Sequence, residues 1–169
     1  FINIIFDAAI SQPTFCNLYS KLLKGCNKYD IKSAIMIKCE SFYNDTTKDP
    51  ISDDISKRDY DLFCKLNKEK QKLIGCFSLI GELYILDLIT YTVLDKYLNM
   101  LINSIVSQDG ELGNKYIDCL SNLVQTIKKK NGFKLDDHLK SVLLTLSKDK
   151  EKFKARYRFM LEDIYKLVK

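Results

Sequence analysis

The chain has 169 residues, a length that suits one domain with a sizeable buried core. Two prolines and six glycines supply too little turn chemistry for a strand-rich fold, so an all-β class is excluded. The 27 basic residues exceed the 22 acidic ones by five, which permits an anionic partner without requiring one. We therefore predict a single all-α domain over residues 1–169.

The chain opens on an apolar run with helical spacing at Ile2, Phe6 and Ala9, and Pro13 marks its end. No basic segment or cleavage site accompanies this run, so it is not expected to be a signal peptide. We interpret it as the second part of a helix whose start lies before residue 1.

Two further helices are predicted before the longest polar stretch. One begins at the N-cap Thr14 and ends near residues 25–27. Its apolar side chains are expected to point inward: Phe15, Leu18, Tyr19 and Leu22. The other begins at Asp30, with these side chains inward: Ile31, Ala34, Ile35, Ile37 and Phe42. Residues 44–54 are polar, contain the second proline and lack a period, so they are predicted to form a loop.

The most apolar stretch, residues 72–90, predicts a core helix with neighbours on both sides, because its apolar residues fall on more than one face. Gly75 and Gly81 each weaken a helix by roughly 1 kcal/mol relative to alanine, so we expect them to permit close packing. Glu82 and Asp87 interrupt the stretch, which is also too short to span a bilayer, so no membrane contact is predicted.

Other apolar periods predict the rest of the fold. A mixed-charge helix from Ser56 or Asp59 runs into the core helix. Further helices are expected over residues 92–106, over 114–130 after a turn at 107–113, from Asp136 or Asp137 through Leu146, and over 149–168. The helix over 114–130 is built on six apolar residues expected inward: Tyr116, Ile117, Leu120, Leu123, Val124 and Ile127. Helices of similar length joined by short turns are typical of an α-solenoid of antiparallel hairpins, and a globular bundle is the alternative.

The six cysteines lie far apart, with no C-x-x-C pair and mostly within apolar helical stripes. They are Cys16, Cys26, Cys39, Cys64, Cys76 and Cys119. This pattern predicts reduced, buried thiols and favours the cytosol or the nucleus.

Enzyme chemistry is not indicated. The sequence has no G-x-G-x-x-G, no Walker lysine motif and no H-E-x-x-H or paired metal ligands, so no cofactor is predicted. His138 follows Asp136 and Asp137, a pairing that suits a general base. Since neither a nucleophile nor a metal partner is visible, we favour the alternative that the aspartates begin a helix and the histidine is solvated.

Basic residues cluster in three places. The clusters are Lys65, Lys68, Lys70 and Lys72; Lys128, Lys129 and Lys130; and Lys148, Lys150, Lys152, Lys154, Arg156 and Arg158. In a helix, the period of two in the last cluster would spread its side chains around the axis. A solvated surface is the default interpretation, and a phosphate-binding face built from several helices is the alternative.

Phe159 is a candidate contact residue. Helical spacing gives neighbouring apolar residues such as Leu161 and Ile164 to the core more naturally than Phe159. Aromatic and arginine side chains dominate binding interfaces, so Phe159 with Arg156 and Arg158 is a candidate hot spot, and buried packing is the alternative.

Three separated stretches resemble one family. They are IFDAAISQPTF at residues 5–15, IGELY at residues 80–84 together with Thr90, and RYRFMLED at residues 156–163. In this order they resemble the middle domain of eukaryotic translation initiation factor 4 gamma, and the similarity covers essentially the whole chain. The resemblance implies a HEAT-type solenoid of five hairpins that acts as a cytoplasmic scaffold. Its implied partners are the DEAD-box helicase initiation factor 4A, messenger RNA and other initiation factors.

The resemblance also implies roles for particular residues. Its last motif transfers to the helicase-binding face Arg156, Arg158, Phe159 and Asp163. The candidate RNA-binding residues are Lys68, Lys70, Lys72, Lys128, Lys129 and Lys130. Phe15 and Glu82 match the family too, with a structural role as the alternative. The chain is expected to lack helices of the family at both ends, and its loop at residues 44–54 is shorter than the family's. Sister families in nonsense-mediated decay, nuclear cap binding and splicing share this fold, so fold does not fix function.

Overall fold

The computed structural model describes residues 1–26, 31–48, 60–108 and 111–168, and within these ranges every regular element is helical. The elements are α1 (Ile2–Ser11), a 3-10 turn (Pro13–Phe15), α2 (Cys16–Gly25), α3 (Ile31–Lys48), α4 (Tyr60–Ile85), α5 (Tyr91–Ser107), α6 (Glu111–Ile127), α7 (Asp137–Lys148) and α8 (Ala155–Leu167). The predicted all-α class is confirmed. No helix in the described ranges has the length and apolar content needed to cross a bilayer. The chain divides into two compact units, Phe1–Tyr91 and Thr92–Lys169.

The first unit is built on α4, against which α1, α2 and α3 all pack. From Leu73 to Leu83 nearly every residue of α4 is buried, as predicted for the core helix. The helix ends earlier than predicted, at Ile85, and residues 86–90 form a turn. Asp87 there has φ 60, and the Leu88 N–H donates to the Leu83 carbonyl over 2.9 Å. This left-handed cap closes the helix because aspartate tolerates that conformation better than most residues.

Gly75 permits the close packing that its position predicted. A Cβ on Gly75 would lie 2.5 Å from the carbonyl oxygen of Ile10 at the end of α1. Just beyond, the Cys16 thiol lies 3.6 Å from the Gly75 carbonyl oxygen and 3.5 Å from that of Ala9. The corner between α1 and α2 therefore rests directly on the backbone of α4.

The buried face of α2 is not the predicted one. Its buried residues are Cys16, Ser20 and Leu23. Three of the residues predicted to point inward are instead about half exposed: Phe15 at 51%, Leu18 at 56% and Leu22 at 50%. The prediction was wrong because α2 packs on α4 through the side that carries Cys16, Ser20 and Leu23, and the Cys16 thiol at the start of the helix lies 3.6 Å from the Gly75 carbonyl oxygen.

Two predictions about α3 also need correction. Ile35 is buried as expected, but Ile37 is exposed. The helix continues to Lys48, so the first part of the predicted loop at 44–54 is helical. The Thr46 hydroxyl donates to the Phe42 carbonyl over 2.7 Å, which satisfies that polar group on the helix itself. Residues 49–54, like the predicted helix start at residues 56–59, lie outside the described ranges.

The second unit contains the best-predicted helix. All six apolar residues expected inward on α6 are buried: Tyr116, Ile117, Leu120, Leu123, Val124 and Ile127. However, α6 spans Glu111–Ile127, three residues earlier at each end than predicted, and Gly113 lies inside it. Its exit turn contains Gly132, whose φ of 79 suits glycine.

All six cysteines fall in the described ranges and are free thiols, as predicted. Cys26 and Cys64 are half-buried and the other four are buried. Burial, and after it the negative charge of Glu82, raises the pKa of the Cys16 thiol to about 12. A thiol with this pKa stays protonated and unreactive near neutral pH.

Candidate functional site

A turn fixes where the last helix begins. The Asp149 carboxylate accepts hydrogen bonds from the backbone N–H of Glu151 at 3.1 Å and of Lys152 at 2.9 Å. Phe153, in the same turn, is buried, and the Lys152 ammonium donates to the carbonyl of Val106. The predicted helix over 149–168 is therefore wrong in its first six residues, because Asp149 caps a turn there.

The exposed face of α8 carries three of the four candidate helicase-binding residues. Arg156, Phe159 and Asp163 are all exposed and stand three and then four positions apart. At 100° per residue this spacing places them within about 60° of one another around the helix. Leu161 and Ile164 are buried on the opposite side. Phe159 is 63% exposed, so its buried-packing alternative is wrong and the aromatic ring is available for contact.

Arg158 does not share that face. It lies about 200° around the helix from Arg156 and is half-buried. Its Nε is buried and has no hydrogen-bond partner among the described residues.

Charges beside Phe159 are partly compensated within the helix. Lys166 and Glu162 form an ion pair at 2.9 Å, and the hydrogen bond to Glu162, followed by its charge, raises the pKa of Lys166. The Arg156 guanidinium lies 5.6 Å from the centre of the Tyr157 ring. The result is an exposed phenylalanine with a cation on one side along the helix and a carboxylate on the other.

The candidate RNA-binding lysines fall into two sets, one in each unit. On α4, Lys68 and Lys72 are exposed and four positions apart, and with Lys65 they form one stripe, whereas Lys70 is half-buried on another side. The second set, Lys128, Lys129 and Lys130, lies in the turn after α6, with the first two exposed and the third half-buried. Of the three candidate lysines on α4, Lys68 and Lys72 therefore share one side of the helix and Lys70 does not. The three candidate lysines after α6 lie together in one turn.

Two exposed aromatic residues on α4 were missed by the sequence reasoning. Tyr60 is 77% exposed and Phe63 is 49% exposed. They stand three positions apart and share one side of α4, whereas the stripe of Lys65, Lys68 and Lys72 lies roughly 140° around the helix from them. The usable signal was an aromatic pair at helical spacing within a charged segment.

The remaining singled-out groups have structural surroundings. The Asp136 carboxylate caps α7 by accepting from the backbone N–H of exposed His138 at 2.8 Å, as the helix-start interpretation predicted. Glu82 is buried and accepts a hydrogen bond from Asn17 Nδ2 at 2.9 Å, which ties α2 to α4. Glu82 therefore has a structural role in this fold.

The chain belongs to the MIF4G domain family, whose profile matches residues 1–169. MIF4G domains are helical, solenoid-like scaffold domains, which confirms the predicted fold class. Among curated proteins, eukaryotic translation initiation factor 4G of Cucumis melo is 24% identical over 189 residues, covering 99% of this chain and 10% of that protein. The protein of the same name from Oryza sativa subsp. japonica is 26% identical over 184 residues, covering 96% and 10%.

Eukaryotic translation initiation factor 4G of Arabidopsis thaliana is 24% identical over 183 residues, covering 95% of this chain and 10% of that protein. The chain thus spans about a tenth of the length of the curated relatives it matches. These matches confirm the resemblance to initiation factor 4 gamma found in the sequence.

Proposed function

We propose that this chain is a single scaffold domain of translation initiation that binds the DEAD-box helicase initiation factor 4A in the cytoplasm. The MIF4G family and the names of the relatives support a role in translation initiation. The exposed face of α8 supports the contact, since Phe159 is 63% exposed between Arg156 and Asp163. An exposed aromatic ring flanked by charges is the type of side chain that contributes most to binding when a partner covers it.

The proposed mechanism is conformational. A scaffold activates a two-lobed helicase when it binds the productive arrangement of the lobes more tightly than the others. A coupling of this kind is typically worth 1–3 kcal/mol, or roughly 5- to 150-fold in the equilibrium between arrangements. Arg158 is half-buried, so it would contribute only through the part of its side chain that stays exposed.

Titration calorimetry with an initiation factor 4A helicase from the same source tests the contact. Phe159→Ala is expected to weaken binding by about 2 kcal/mol or more, roughly 30-fold, with Arg158→Ala somewhat less damaging. Phe63→Ala is the matched control, because it removes another exposed phenylalanine from the first unit. Unchanged affinity in Phe159→Ala would place the helicase contact elsewhere. Absence of binding by the folded wild-type chain would favour a sister family.

A second candidate function is contact with single-stranded messenger RNA through α4. Lys65, Lys68 and Lys72 form an exposed basic stripe on one side of α4. Lysines neutralise the phosphates of a nucleic acid without strong sequence preference. The same arrangement would serve an RNA-binding module of a sister family.

RNA affinity measured against salt concentration tests this second function. For a 12-nucleotide poly-uridine, removing each phosphate-contacting lysine should reduce the salt slope by about 0.7. We expect this for Lys68→Ala and Lys72→Ala, and no change in slope or affinity for Phe63→Ala, whose ring lies on another side of α4. Phe159→Ala is the control. If only the triple alanine variant of Lys128, Lys129 and Lys130 changes the slope, RNA binds at the second set.

A further inference from the structure

The turn that follows α6 contains the dipeptide Asn131-Gly132, and both of its residues are exposed. Gly132 has φ 79, in the left-handed region that favours glycine. A Cβ on Gly132 would meet nothing within 4 Å, so the space around this part of the backbone is open. Because glycine has no Cβ to obstruct an approach, the side-chain amide of Asn131 can come close to the backbone nitrogen of Gly132.

Hydrogen bonding distinguishes the Gly132 N–H from its neighbours. The Lys130 N–H donates to the Ile127 carbonyl over 3.0 Å, and the Phe133 N–H donates to the Lys130 carbonyl over 3.3 Å. In the part of the chain that the structure describes, neither the Gly132 N–H nor the Asn131 side chain makes a hydrogen bond. The fold therefore leaves this nitrogen open to the solvent and this amide free to turn toward it.

We propose that Asn131 is a site of spontaneous deamidation in the folded protein. Hydroxide removes the Gly132 amide proton, and the nitrogen attacks Cγ of Asn131 to form a five-membered succinimide ring. The bond between Cγ and Nδ2 breaks, and Nδ2 takes a proton from water and leaves as ammonia. Water then opens the ring at either carbonyl, which gives aspartate or isoaspartate. Water and hydroxide are the only co-reactants.

The reaction changes the charge of a basic surface. Three lysines at 128–130 directly precede Asn131 and Lys134 follows it, whereas the nearest acidic residue along the chain is Asp136. A new carboxylate at residue 131 lowers the formal net charge of +5 by one. Isoaspartate also lengthens the main chain by one carbon in the turn between α6 and α7. The inference is independent of the helicase contact at α8 and of the RNA contact on α4.

Asn103 provides an internal comparison. It is exposed and is followed by the small residue Ser104, but both lie within α5. A backbone N–H in a helix donates to the carbonyl four residues earlier, so the Ser104 nitrogen is held away from the Asn103 side chain. Asn17 is held as well, since its Nδ2 donates to the Glu82 carboxylate over 2.9 Å. We therefore expect Asn131 to react before either of them.

Incubation of the whole chain at about pH 8 and 37 °C, followed by acid digestion with pepsin and peptide mass mapping, tests the proposal. A synthetic peptide of residues 128–134 is incubated beside it. We expect the fragment containing Asn131 to gain about 1 Da at a rate within about tenfold of the free peptide, and the fragment containing Asn103 to stay unchanged. Cation-exchange chromatography should show a less basic species that grows at the same rate.

Two variants test the mechanism. Asn131→Gln keeps an amide but requires a larger ring, so it should abolish the less basic species. Gly132→Ala places a Cβ at φ 79 and should slow the reaction at least about tenfold. Because Asn131→Gln alters only an exposed side chain, it keeps the test decisive if Gly132→Ala folds poorly.

The rates also distinguish reaction in the folded turn from reaction after unfolding. Deamidation that occurs only through global unfolding would be about a thousandfold or more slower than in the peptide, because the unfolded fraction is that small. A difference of that size would overturn the proposal, as would equal rates at Asn131 and Asn103. A less basic species that persists in Asn131→Gln would also overturn it.

Discussion

Helices α2 and α8 are of similar length, yet they differ in which kinds of side chain are buried and which are exposed. The buried side of α8 carries Leu161 and Ile164, and its exposed side is mainly charged with one phenylalanine. The buried side of α2 carries Cys16, Ser20 and Leu23, while Leu18 and Leu22 on α2 and Phe15 just before it are about half exposed. The difference shows that the neighbouring helices decide which side of a helix is buried, so the largest apolar residues are not always the buried ones.

The corner between α1 and α2 packs closely on α4. A Cβ on Gly75 would lie 2.5 Å from the Ile10 carbonyl oxygen at the end of α1, and the Cys16 thiol at the start of α2 lies 3.6 Å from the Gly75 carbonyl oxygen. A larger side chain at Gly75 would overpack this corner. Substitutions at this corner and on the buried and exposed sides of α2 and α8 test the comparison.

The largest effect is expected for Gly75→Leu, which should lower the free energy of unfolding by about 4 kcal/mol, because the new side chain meets backbone that has no space to yield. Urea denaturation followed by circular dichroism measures this change. Gly25→Ala is the matched control at the end of α2, where a Cβ would meet nothing within 4 Å. Equal stabilities of the two variants would contradict the close approach.

Leu161 and Phe159 on α8 test whether the buried side of this helix contributes more to stability than its exposed side. Leu161→Ala should lower the free energy of unfolding by about 3 kcal/mol, since it leaves a cavity under a fully buried side chain. Phe159→Ala should change stability by less than about 0.5 kcal/mol, because the ring is largely exposed. Thermal denaturation compares them directly. A large loss in Phe159→Ala would mean that the ring packs against the chain.

On α2 the small residue Ser20 is buried and the large residue Leu18 is exposed, so a change at Ser20 should cost more stability than a change at Leu18. Ser20→Val replaces the hydroxyl with two methyl groups at a fully buried position, removes the hydrogen bond that this hydroxyl donates to the Asn17 carbonyl, and should cost about 2 kcal/mol. Leu18→Ser removes a large apolar side chain from the surface and should cost about 0.5 kcal/mol, mainly through helix propensity. Denaturant titration of both variants decides between them. If Leu18→Ser is the more destabilising change, the predicted inward face was correct after all.

The smallest effect concerns pH. Below about pH 9 the Cys16 thiol is protonated in both states and contributes nothing. Between pH 9 and the folded-state pKa of about 12, the unfolded thiol loses its proton and the folded one does not. The free energy of unfolding should therefore fall as pH rises, by at most about 1.4 kcal/mol per unit. Denaturation at pH 8 and pH 10 measures the slope, and Cys16→Ala should remove this part of it.

Sequence reasoning predicted most of the fold because apolar periodicity is strong where helices pack at ordinary distances. All six inward residues on α6 were correct, as was the buried segment of α4 around Gly75. The errors arose where local interactions compete with periodicity. Asp149 caps a turn that resembled helix, and Asp87 closes α4 through a left-handed residue. On α2 the pattern predicted the wrong side because close packing is a tertiary property.

The candidate site was only partly accessible to sequence reasoning. Phe159 was identified because helical spacing assigns its apolar neighbours to the core more naturally than Phe159 itself, and the structure confirms that it is exposed. Arg158 was grouped with it by adjacency in sequence, although neighbours in a helix point in different directions. Tyr60 and Phe63 were missed because an aromatic residue in a helical period is ordinarily assigned to the core.

The turn between α7 and α8 has a consequence for how this surface can evolve. Asp149 and Phe153 set where α8 starts, and neither belongs to the helix. Substitutions on the exposed face of α8 leave the direction in which that face points unchanged. Changes in the turn would redirect it without altering its chemistry. The orientation of the exposed face of α8 and the chemistry of its side chains are therefore encoded by separate residues, so either can change while the other is retained.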